Sequence, residues 1–390
     1  MGRTSPLAQE VLTVDERLTE IERELNFLLN VTPVNGAEAW RDFARSGFES
    51  SPTLQSRSLD FDPDLVKRDL YDVQIELVDN PALNSLFRAK RDEIGRQITL
   101  LEDRDTSRFR YGALQLYGEP GDSLCTTARS LLELIDPPPV TPTSVTATAF
   151  AQTARAELES AYPQFPVAVE VRDDVADLMV SFGRLYIPAT ATFRANRVQP
   201  LIQHEVGTHV LTYRNGEAQP LGLLSVGLPL YEETQEGLAV LAEYVVGGLD
   251  PRRMRVLAAR VEAASMMLAH ADFVEIFKHL TETHAFAPRT AWSVTSRVTY
   301  GGGSTKDIIY LRGIEGVLGY FAQGRSIDPL LAGKLSLDHV PLVEELIRQG
   351  ILEPPRARPR WLSAPGAEVR LEHMRGGMSA ADLLGMDVAA

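Results

Sequence analysis

The stretch 201–216, LIQHEVGTHVLTYRNG, contains two histidines and a glutamate within an otherwise largely apolar helical segment. In the His-Glu-x-x-His pattern of zinc peptidases, the histidines are four residues apart on one helix face. Here His204 and His209 are five apart, and Glu205 follows the first. Residues four apart on an α-helix differ by about 40° around its axis, and residues five apart by about 140°. A regular helix would therefore turn the two imidazoles away from each other.

A local widening of the helix removes this conflict. A π-turn brings side chains five apart back to one face, and such turns favour functional sites. Gly207 lies between the histidines and tolerates the distortion, although glycine costs about 1 kcal/mol in a helix interior. The sequence therefore predicts a π-turn around Gly207, with both imidazoles converging on one point. The alternative is a regular helix with two hydrogen-bonded core histidines.

The next helix is expected to supply a third metal ligand. A catalytic zinc takes three protein ligands and keeps one position open for water. In YEETQEGLAVLAEY (231–244), Glu236 precedes an apolar run, so its carboxylate should be buried and therefore paired or metal-bound. Glu243, seven residues on, should support a ligating histidine from behind, unless it is an ordinary ion-pair residue. Glu232 and Glu233 suit a solvated first helical turn.

The composition excludes several other functions. The formal net charge of −14 opposes binding to nucleic acid and to anionic membranes, and no stretch approaches the roughly 18 apolar residues of a membrane span. The single cysteine, Cys125, excludes an internal disulfide and a Cys-based zinc site, and a reducing, cytoplasmic location is expected. Gly301–Gly303 form no phosphate loop, because Lys306 is followed by Asp307. No flavin or nucleotide cofactor is expected.

Helical periodicity dominates the chain, and one short region alternates as strands do. The apolar–polar alternation over 165–188 predicts a small antiparallel sheet directly before the helix with the histidines. The predicted fold class is α+β, a predominantly helical metallopeptidase fold with a small antiparallel sheet beside the zinc-binding helices. The proline-rich stretch 136–144 marks a boundary. We expect a helical N-terminal region (1–140), a catalytic region (141–353) and a Pro/Gly-rich tail (354–390), either an irregular strap or partly disordered.

Two motifs together carry a family resemblance. HEVGTH (204–209) followed by TQEGLA (234–239) resembles the bacterial QEGLA-motif proteins, labelled "flavohaemoglobin expression-modulating", which are related to the microtubule-associated tyrosine carboxypeptidases of animals. The same lengthened histidine motif, with a later glutamate ligand, occurs in dipeptidyl peptidase III. Other segments that look like this family are RNGEAQPL (214–221), RVTYGGGSTKDIIYLRG (297–313) and GKLSLDHVPLVEEL (333–346).

The resemblance implies a metal site and a catalytic base. It implies that His204, His209 and Glu236 bind Zn²⁺ and that Glu205 is the base. It does not carry over the substrate, because the animal members remove a C-terminal tyrosine from tubulin and a net charge of −14 would repel acidic tubulin tails.

Two further tasks need helper residues. The oxyanion that forms during peptide hydrolysis needs a donor, for which Tyr300 and Tyr310 are candidates, with ordinary core tyrosines as the alternative. A carboxypeptidase also needs a cation for the terminal carboxylate. Arg297, Arg312 and Arg214 are the options, and Arg297 is preferred because it shares a segment with Tyr300.

The sequence thus predicts a zinc metallopeptidase, in particular a carboxypeptidase acting on a peptide or protein C-terminus, with Glu205 activating a zinc-bound water. The strand 181–188 could offer an edge to an extended peptide, unless it is an interior strand. The alternatives are an endo- or aminopeptidase that uses the same zinc, or a non-enzymatic regulatory protein that retains a metal site.

Overall fold

The computed structural model describes residues 7–137, 139, 142, 144–175, 177–300 and 304–385. The chain is 64% helical with few strands, which confirms the mostly helical α+β class. Within these residues no helix is both long and apolar enough to cross a membrane.

Most of the described chain is helical, and the connections between helices vary in length. In the described part of the chain, the α-helices are Gln9–Leu25 (α1), Phe27–Asn30 (α2), Gly36–Arg45 (α3), Pro63–Tyr71 (α4), Pro81–Glu102 (α5), Phe109–Tyr117 (α6), Asp122–Leu134 (α7), Ala147–Ala161 (α8), Ala195–His204 (α9), Leu211–Glu217 (α10), Leu223–Val226 (α11), Tyr231–Val245 (α12), Pro251–Leu268 (α13), Phe273–Lys278 (α14), Pro288–Thr299 (α15), Ile309–Ala322 (α16), Asp328–Leu331 (α17), Val340–Arg348 (α18) and Ala367–Arg375 (α19). Two π-helical segments occur at Glu205–Val210 and His279–Thr283. Short 3-10 helices occur at Ile75–Leu77, Ser304–Ile308, Leu337–His339, Arg360–Ser363 and Asp382–Leu384.

The strands form a small sheet and a two-stranded ribbon. They are Val145–Thr146 (β1), Val169–Arg172 (β2), Met179–Ser181 (β3), Arg184–Pro188 (β4) and Thr192–Phe193 (β5). The sheet order is β2-β4-β3, and β1 pairs with β5. The β3–β4 pair is antiparallel, as predicted for 165–188, whereas β2 runs parallel to β4. The β1–β5 pair is also antiparallel and lies outside the region for which strands were predicted. Because β3 lies between β2 and β4 in the chain, no hairpin joins β2 to β4, and the two strands can run parallel.

The hydrophobic interior is divided into two clusters. The smaller cluster contains α8, the sheet and the helix with the histidines, for example Phe150, Leu185 and Ile202. The larger cluster joins the N-terminal helices to α12, α13 and α16. The helix with the histidines therefore lies where the two clusters meet. The predicted division into 1–140, 141–353 and 354–390 stays a prediction.

The N-terminal helices hold the loop that leads into α12. Asp15 on α1 accepts hydrogen bonds from the backbone amides of Gly222 and Leu223. Glu93 on α5 accepts from the amide of Leu230, 2.8 Å away, just before α12 begins. Lys90, which is fully buried, lies 2.8 Å from Glu93 and balances its charge. The start of α12 is thus fixed by side chains more than a hundred residues earlier in the chain.

The proline- and glycine-rich tail is more regular than expected. Residues Ala367–Arg375 form a helix, which the sequence analysis did not predict, and Arg360–Ser363 form a 3-10 turn. Trp361 is 1% exposed and packs into the larger cluster. A buried tryptophan removes a large apolar area from water, and this burial holds the segment against the protein. This part of the tail is therefore packed and partly helical rather than irregular.

Helices α12 and α16 approach each other through a pair of glycines. A Cβ atom on Gly237 would lie 2.3 Å from the backbone oxygen of Gly313, and one on Gly313 would lie 2.1 Å from the oxygen of Glu233. Such distances are shorter than any real Cβ contact, so the two helices can pack this closely only without side chains here. This contact sets the position of Glu236, the neighbour of Gly237.

We predict that Gly237→Ala lowers the unfolding free energy by about 1–3 kcal/mol, because backbone atoms must move apart to admit the methyl group. Gly319→Ala is the matched control on α16, since a Cβ there has no atom within 4 Å and alanine is the better helix former. Chemical denaturation of both variants measures the difference. Equal stabilities would contradict the close approach of the two helices.

Candidate metal centre and its cavity

The helix with the histidines contains the predicted π-turn. After α9, residues Glu205–Val210 are π-helical, and α10 follows without a break. The indole Nε1 of Trp361 donates a hydrogen bond to the Gly207 carbonyl at 3.2 Å. A Cβ on Gly207 would lie 2.7 Å from Gln203 Oε1 and 3.0 Å from Trp361 Cδ1. A side chain at this position would have to displace the end of Gln203 and press on the Trp361 ring, so the packing around the turn favours glycine.

The two imidazoles and Glu236 converge, as the widened turn predicts. The ring centroids of His204 and His209 are 5.0 Å apart. Glu236 Oε2 lies 3.7 Å from Nε2 of each histidine. One ligand atom from each of the three residues lies within 4.8 Å of the others, an arrangement that could hold a metal ion.

The chemistry and spacing of the three residues suit a zinc ion. Glu236 Oε2 is buried and has no hydrogen-bond partner among the described residues, which is costly for a carboxylate unless a cation binds it. A tetrahedral zinc with ligand bonds of about 2.0–2.1 Å separates its ligand atoms by roughly 3.4 Å. The 3.7 Å separations here are close to that value. Two nitrogens and one carboxylate oxygen also match the ligand preference of zinc.

Glu243 holds His204 from behind. Its Oε1 lies 2.8 Å from His204 Nδ1, and a proton on that nitrogen leaves the Nε2 lone pair free for a metal. Arg197 and Arg253 donate to the same carboxylate. Burial acts to raise the pKa of Glu243, but the two arginines and His204 outweigh it and hold the pKa well below its ordinary value. The buried carboxylate therefore stays ionised.

The electrostatic field at the triad favours a cation. Burial acts to lower the pKa of His204, but Glu243, Glu205 and Glu236 outweigh it and raise the pKa above its ordinary value. Burial acts to raise the pKa of Glu236, yet His209, His204 and Lys306 hold it well below the usual range. The raised pKa of His204 reflects the negative charge of the three glutamates around it, which also favours a bound cation. The lowered pKa of Glu236 reflects the positive groups beside it and keeps its carboxylate ionised, as a metal ligand must be.

Glu205 lies beside the triad without belonging to it. Its Oε1 is 3.9 Å from His204 Nε2, and the residue is 6% exposed. Burial raises the pKa of Glu205, against the lowering effect of His204 and His209. A carboxylate with a raised pKa is a better proton acceptor.

The triad and Glu205 line a cavity of about 520 Å³. This volume is typical of a site for a small molecule or a few amino-acid residues. Other described residues in its wall are Asp177, Val180, Tyr231, Gln235, Arg289, Trp292, Arg297, Lys306, Tyr310 and Lys334.

Of the two candidate tyrosines, the structure brings one to this cavity. Tyr310 lines the cavity, and burial raises its pKa to about 12, so its hydroxyl keeps its proton at neutral pH. Tyr300 instead lines a separate cavity and donates a hydrogen bond to Asp105. The two tyrosines face different cavities because Tyr300 follows the end of α15, whereas Tyr310 lies on α16. Gly301–Gly303 lie outside the described residues.

The candidate arginines are occupied by other partners. Arg297 lines the cavity, but its guanidinium binds Asp307 through two nitrogens, at 2.6 and 2.7 Å, and Asp177 through the third, at 2.8 Å. Arg312 does not line the cavity and binds Glu233 and the Tyr117 carbonyl.

Arg214 is also absent from the described part of the cavity wall. Its guanidinium donates hydrogen bonds to Glu217 and to the Pro166 carbonyl instead. The structure thus does not bring Arg312 or Arg214 to the triad, because local carboxylates and carbonyls hold them elsewhere.

The edge-strand hypothesis is wrong for β4, which lies between β2 and β3. The alternative of an interior strand is confirmed. The strand at the sheet edge beside the cavity is β3, and its Met179 and Val180 are in the cavity wall.

The polar residues of the cavity wall that were missed as site candidates include Tyr231, Gln235, Lys306 and Lys334. Lys306 binds Glu232 at 2.8 Å, so this glutamate is not the solvated residue that its position in the first turn suggested. For Lys334 a signal was available, because a lysine in the apolar stretch LLAGKL (330–335) is expected to be at least partly buried.

Fold and site together define a class: mostly helical proteins that hold a His-His-Glu triad in a cavity, the ligand set of several zinc peptidases. Residues 41–378 match the sequence model of the family described as "Microtubule-associated tyrosine carboxypeptidase". Because this match covers most of the chain, the chain belongs to that family. The description of this family does not mention the QEGLA motif, so the similarity to the QEGLA-motif proteins stays a resemblance.

Two mouse proteins are similar over part of the chain. The putative tyrosine carboxypeptidase MATCAP2 is 29% identical over 168 residues, which are 40% of this chain and 31% of that protein. Microtubule-associated tyrosine carboxypeptidase 1 is 27% identical over 223 residues, 53% of this chain and 46% of that protein. The matched region thus spans less than half the length of both relatives. No solved structure gives a significant match.

We predict that Glu243→Gln weakens zinc binding by about 10–100-fold, because His204 loses the carboxylate that orients it. Competition with a chromophoric chelator measures the affinity. Asp250→Asn is the matched control, because it removes the partner of Arg194 but touches no residue of the triad. The prediction fails if both variants bind zinc equally tightly.

The unfolding free energy of the protein should depend on the protonation of Lys334. Burial lowers the pKa of Lys334 from 10.5 to about 8. Other charged groups that act on it are Glu232, Glu22, Glu236 and Lys90. Below pH 8 the folded protein carries a buried charge, which costs stability. Between pH 8 and 10.5 only the unfolded chain keeps the proton, so the unfolding free energy of the wild type rises with pH.

Lys334→Met should therefore melt at a higher temperature than the wild type at pH 7, and the difference should shrink as pH rises to about 10. Thermal melts of both proteins across this range measure it. A difference that stays constant with pH would show that the lysine is not desolvated.

Proposed function

We propose that the protein is a zinc-dependent carboxypeptidase that removes a residue from the C-terminus of a peptide or protein. The observation that carries the proposal is the convergence of His204, His209 and Glu236 across a π-turn, with Glu205 in the same cavity. Membership of the family described as tyrosine carboxypeptidases supports the same reaction.

In this proposal His204, His209 and Glu236 hold the metal, and Glu243 orients His204 through Nδ1. When bound, zinc would supply Lewis-acid polarisation and a lowered pKa for water. Three protein ligands leave one coordination position open, as a catalytic site requires.

Glu205 acts as the general base. Its carboxylate takes a proton from the attacking water and passes that proton to the nitrogen of the leaving residue. The raised pKa that burial gives it suits both steps, because the group must accept the proton and then release it. Tyr310 is the proposed oxyanion donor, since its hydroxyl keeps its proton and it lines the cavity.

The edge strand β3 is the proposed docking site for the peptide backbone. Its Met179 and Val180 lie in the cavity wall, and in the described residues its far edge has no partner strand. An extended peptide can add to such an edge through backbone hydrogen bonds.

The substrate class proposed is a peptide or protein, and the compartment is reducing, such as the cytoplasm, since the single cysteine is buried and free. The mouse relatives are named tyrosine carboxypeptidases, so a C-terminal tyrosine is the first side chain to test. The net charge of −14 disfavours strongly acidic tails. We propose no binding to nucleic acid or membrane.

Glu205→Gln should reduce turnover by at least about 100-fold while keeping one zinc per chain, because the variant loses the base and none of the proposed ligands. Elemental analysis gives the zinc content. Mass spectrometry of a peptide library with free termini gives the products. Glu217→Gln, an exposed glutamate on α10, is the matched control and should stay active.

The pattern of products separates the alternatives. Loss of single C-terminal residues supports the proposal, whereas cuts inside peptides or at the N-terminus favour the endo- or aminopeptidase. Bound zinc without turnover of any peptide would favour a regulatory protein and sink the enzyme hypothesis.

A further inference from the structure

Lys334 differs from the other buried cations in the cavity wall. It is 8% exposed, and its backbone is fixed by hydrogen bonds to Leu224 and from Leu228. Arg297 and Lys306 also line the cavity, but each is bound to carboxylates of the protein. Among the described residues, no carboxylate lies within 4 Å of the Lys334 ammonium, which instead faces the rings of Tyr231 at 5.4 Å and Tyr213 at 5.6 Å.

A buried ammonium without a counter-ion is costly for a protein. Such a group persists where a ligand supplies the missing charge. An anion that enters this cavity would pair with Lys334 in a desolvated setting, where charge-assisted hydrogen bonds are strong.

Gln235 supplies a second, independent observation. The residue is 2% exposed and lines the same cavity. Its Oε1 accepts a hydrogen bond from Thr212 at 2.7 Å, while its Nε2 is buried and has no partner among the described residues. Tyr231, whose ring faces Lys334, lies one helical turn before Gln235 on α12. An unused amide donor and an unused cation therefore occur on one wall of the cavity.

We propose that Lys334 and Gln235 form the subsite that binds the α-carboxylate of the substrate's C-terminal residue. This inference rests on the proposed carboxypeptidase function. A carboxylate accepts both from an ammonium and from an amide N–H, and its two oxygens provide enough lone pairs for the two donors. An internal peptide bond carries no charge at this position, so the subsite would select chain ends.

The arginines of the cavity wall are less suitable than Lys334 for binding the substrate carboxylate. All three guanidinium nitrogens of Arg297 donate hydrogen bonds to Asp307 or Asp177. A substrate carboxylate would therefore have to compete with two protein carboxylates. Lys334 has no such competitor. Arg289 is a further cation in the cavity wall, but it is exposed and lies over the Trp40 ring.

The test uses the zinc-loaded protein with Glu205→Gln, which should bind peptides without cleaving them. The probe is a library of N-acetylated tetrapeptides, made once as free acids and once as C-terminal amides. Retention on the immobilised protein is read by mass spectrometry. We expect the parent to retain the free acids at least about 10-fold better than the amides.

Adding Lys334→Met should reduce the ratio of acid to amide retention to near one. Lys334→Arg should keep part of the preference, because the charge remains. Gln235→Met should reduce it several-fold. Arg289→Met is the matched control, a cation of the same cavity outside the proposed subsite, and should leave the ratio unchanged.

Folding and catalysis are checked separately. Lys334→Met removes an unpaired buried charge, so it should fold at least as well as its parent, which a thermal melt verifies. In the protein with Glu205 intact, Lys334→Met should raise KM at least about 10-fold and change kcat little, because the carboxylate contact is the same in the bound substrate and in the transition state.

The outcomes separate this inference from the proposed function. An acid preference that survives Lys334→Met, or is lost in Arg289→Met instead, overturns the subsite while leaving the carboxypeptidase intact. A parent that retains acids and amides equally also overturns the subsite. If the proposed carboxypeptidase function is wrong, the wild type will show no C-terminal cleavage of the peptide library, whatever the binding experiment shows.

Discussion

The π-turn between His204 and His209 is the constraint on which the site depends. A regular helix would point the two rings about 140° apart, and the six π-helical residues turn them toward one another. Such a turn is less favourable than the helix around it, so other elements must hold it. Trp361 from the tail donates to the carbonyl of Gly207, and Glu243 from α12 accepts from His204. Both contacts act on the π-turn or on the histidine that precedes it.

The same constraint explains why the triad lies where the two hydrophobic clusters meet. The histidines belong to a helix packed with α8 and the sheet, whereas Glu236 belongs to α12, which is packed with the larger cluster. Metal binding would therefore join the two clusters. The glycine pair between α12 and α16, together with the carboxylates of Asp15 and Glu93 around the start of α12, fixes Glu236 before any metal binds.

The charges of the cavity wall are paired in a way that leaves few groups for a substrate. Arg297 and Lys306 neutralise Asp307, Asp177 and Glu232. Glu243 is neutralised by two arginines, and these pairs keep buried carboxylates ionised. Among the described residues of the wall, groups without a hydrogen-bond or ion-pair partner include Glu236 Oε2, Gln235 Nε2 and the ammonium of Lys334. These are the groups that a metal and a carboxylate would satisfy.

The amino-acid sequence predicted the local geometry of the site. The five-residue spacing and the glycine inside it were sufficient for the π-turn, because this follows from helix geometry over a short separation, and the seven-residue separation places Glu236 and Glu243 on about the same face of α12. The packing of the helices brings that face to the histidines and determines which other distant groups meet. Tyr300 pairs with Asp105, Arg312 with Glu233, β2 joins β4 in parallel, and Trp361 packs on Gly207. Residue type gives the charge and size of each of these side chains. It does not give their partners, because a partner far away in the chain is chosen by the packing of whole helices, which local periodicity does not encode.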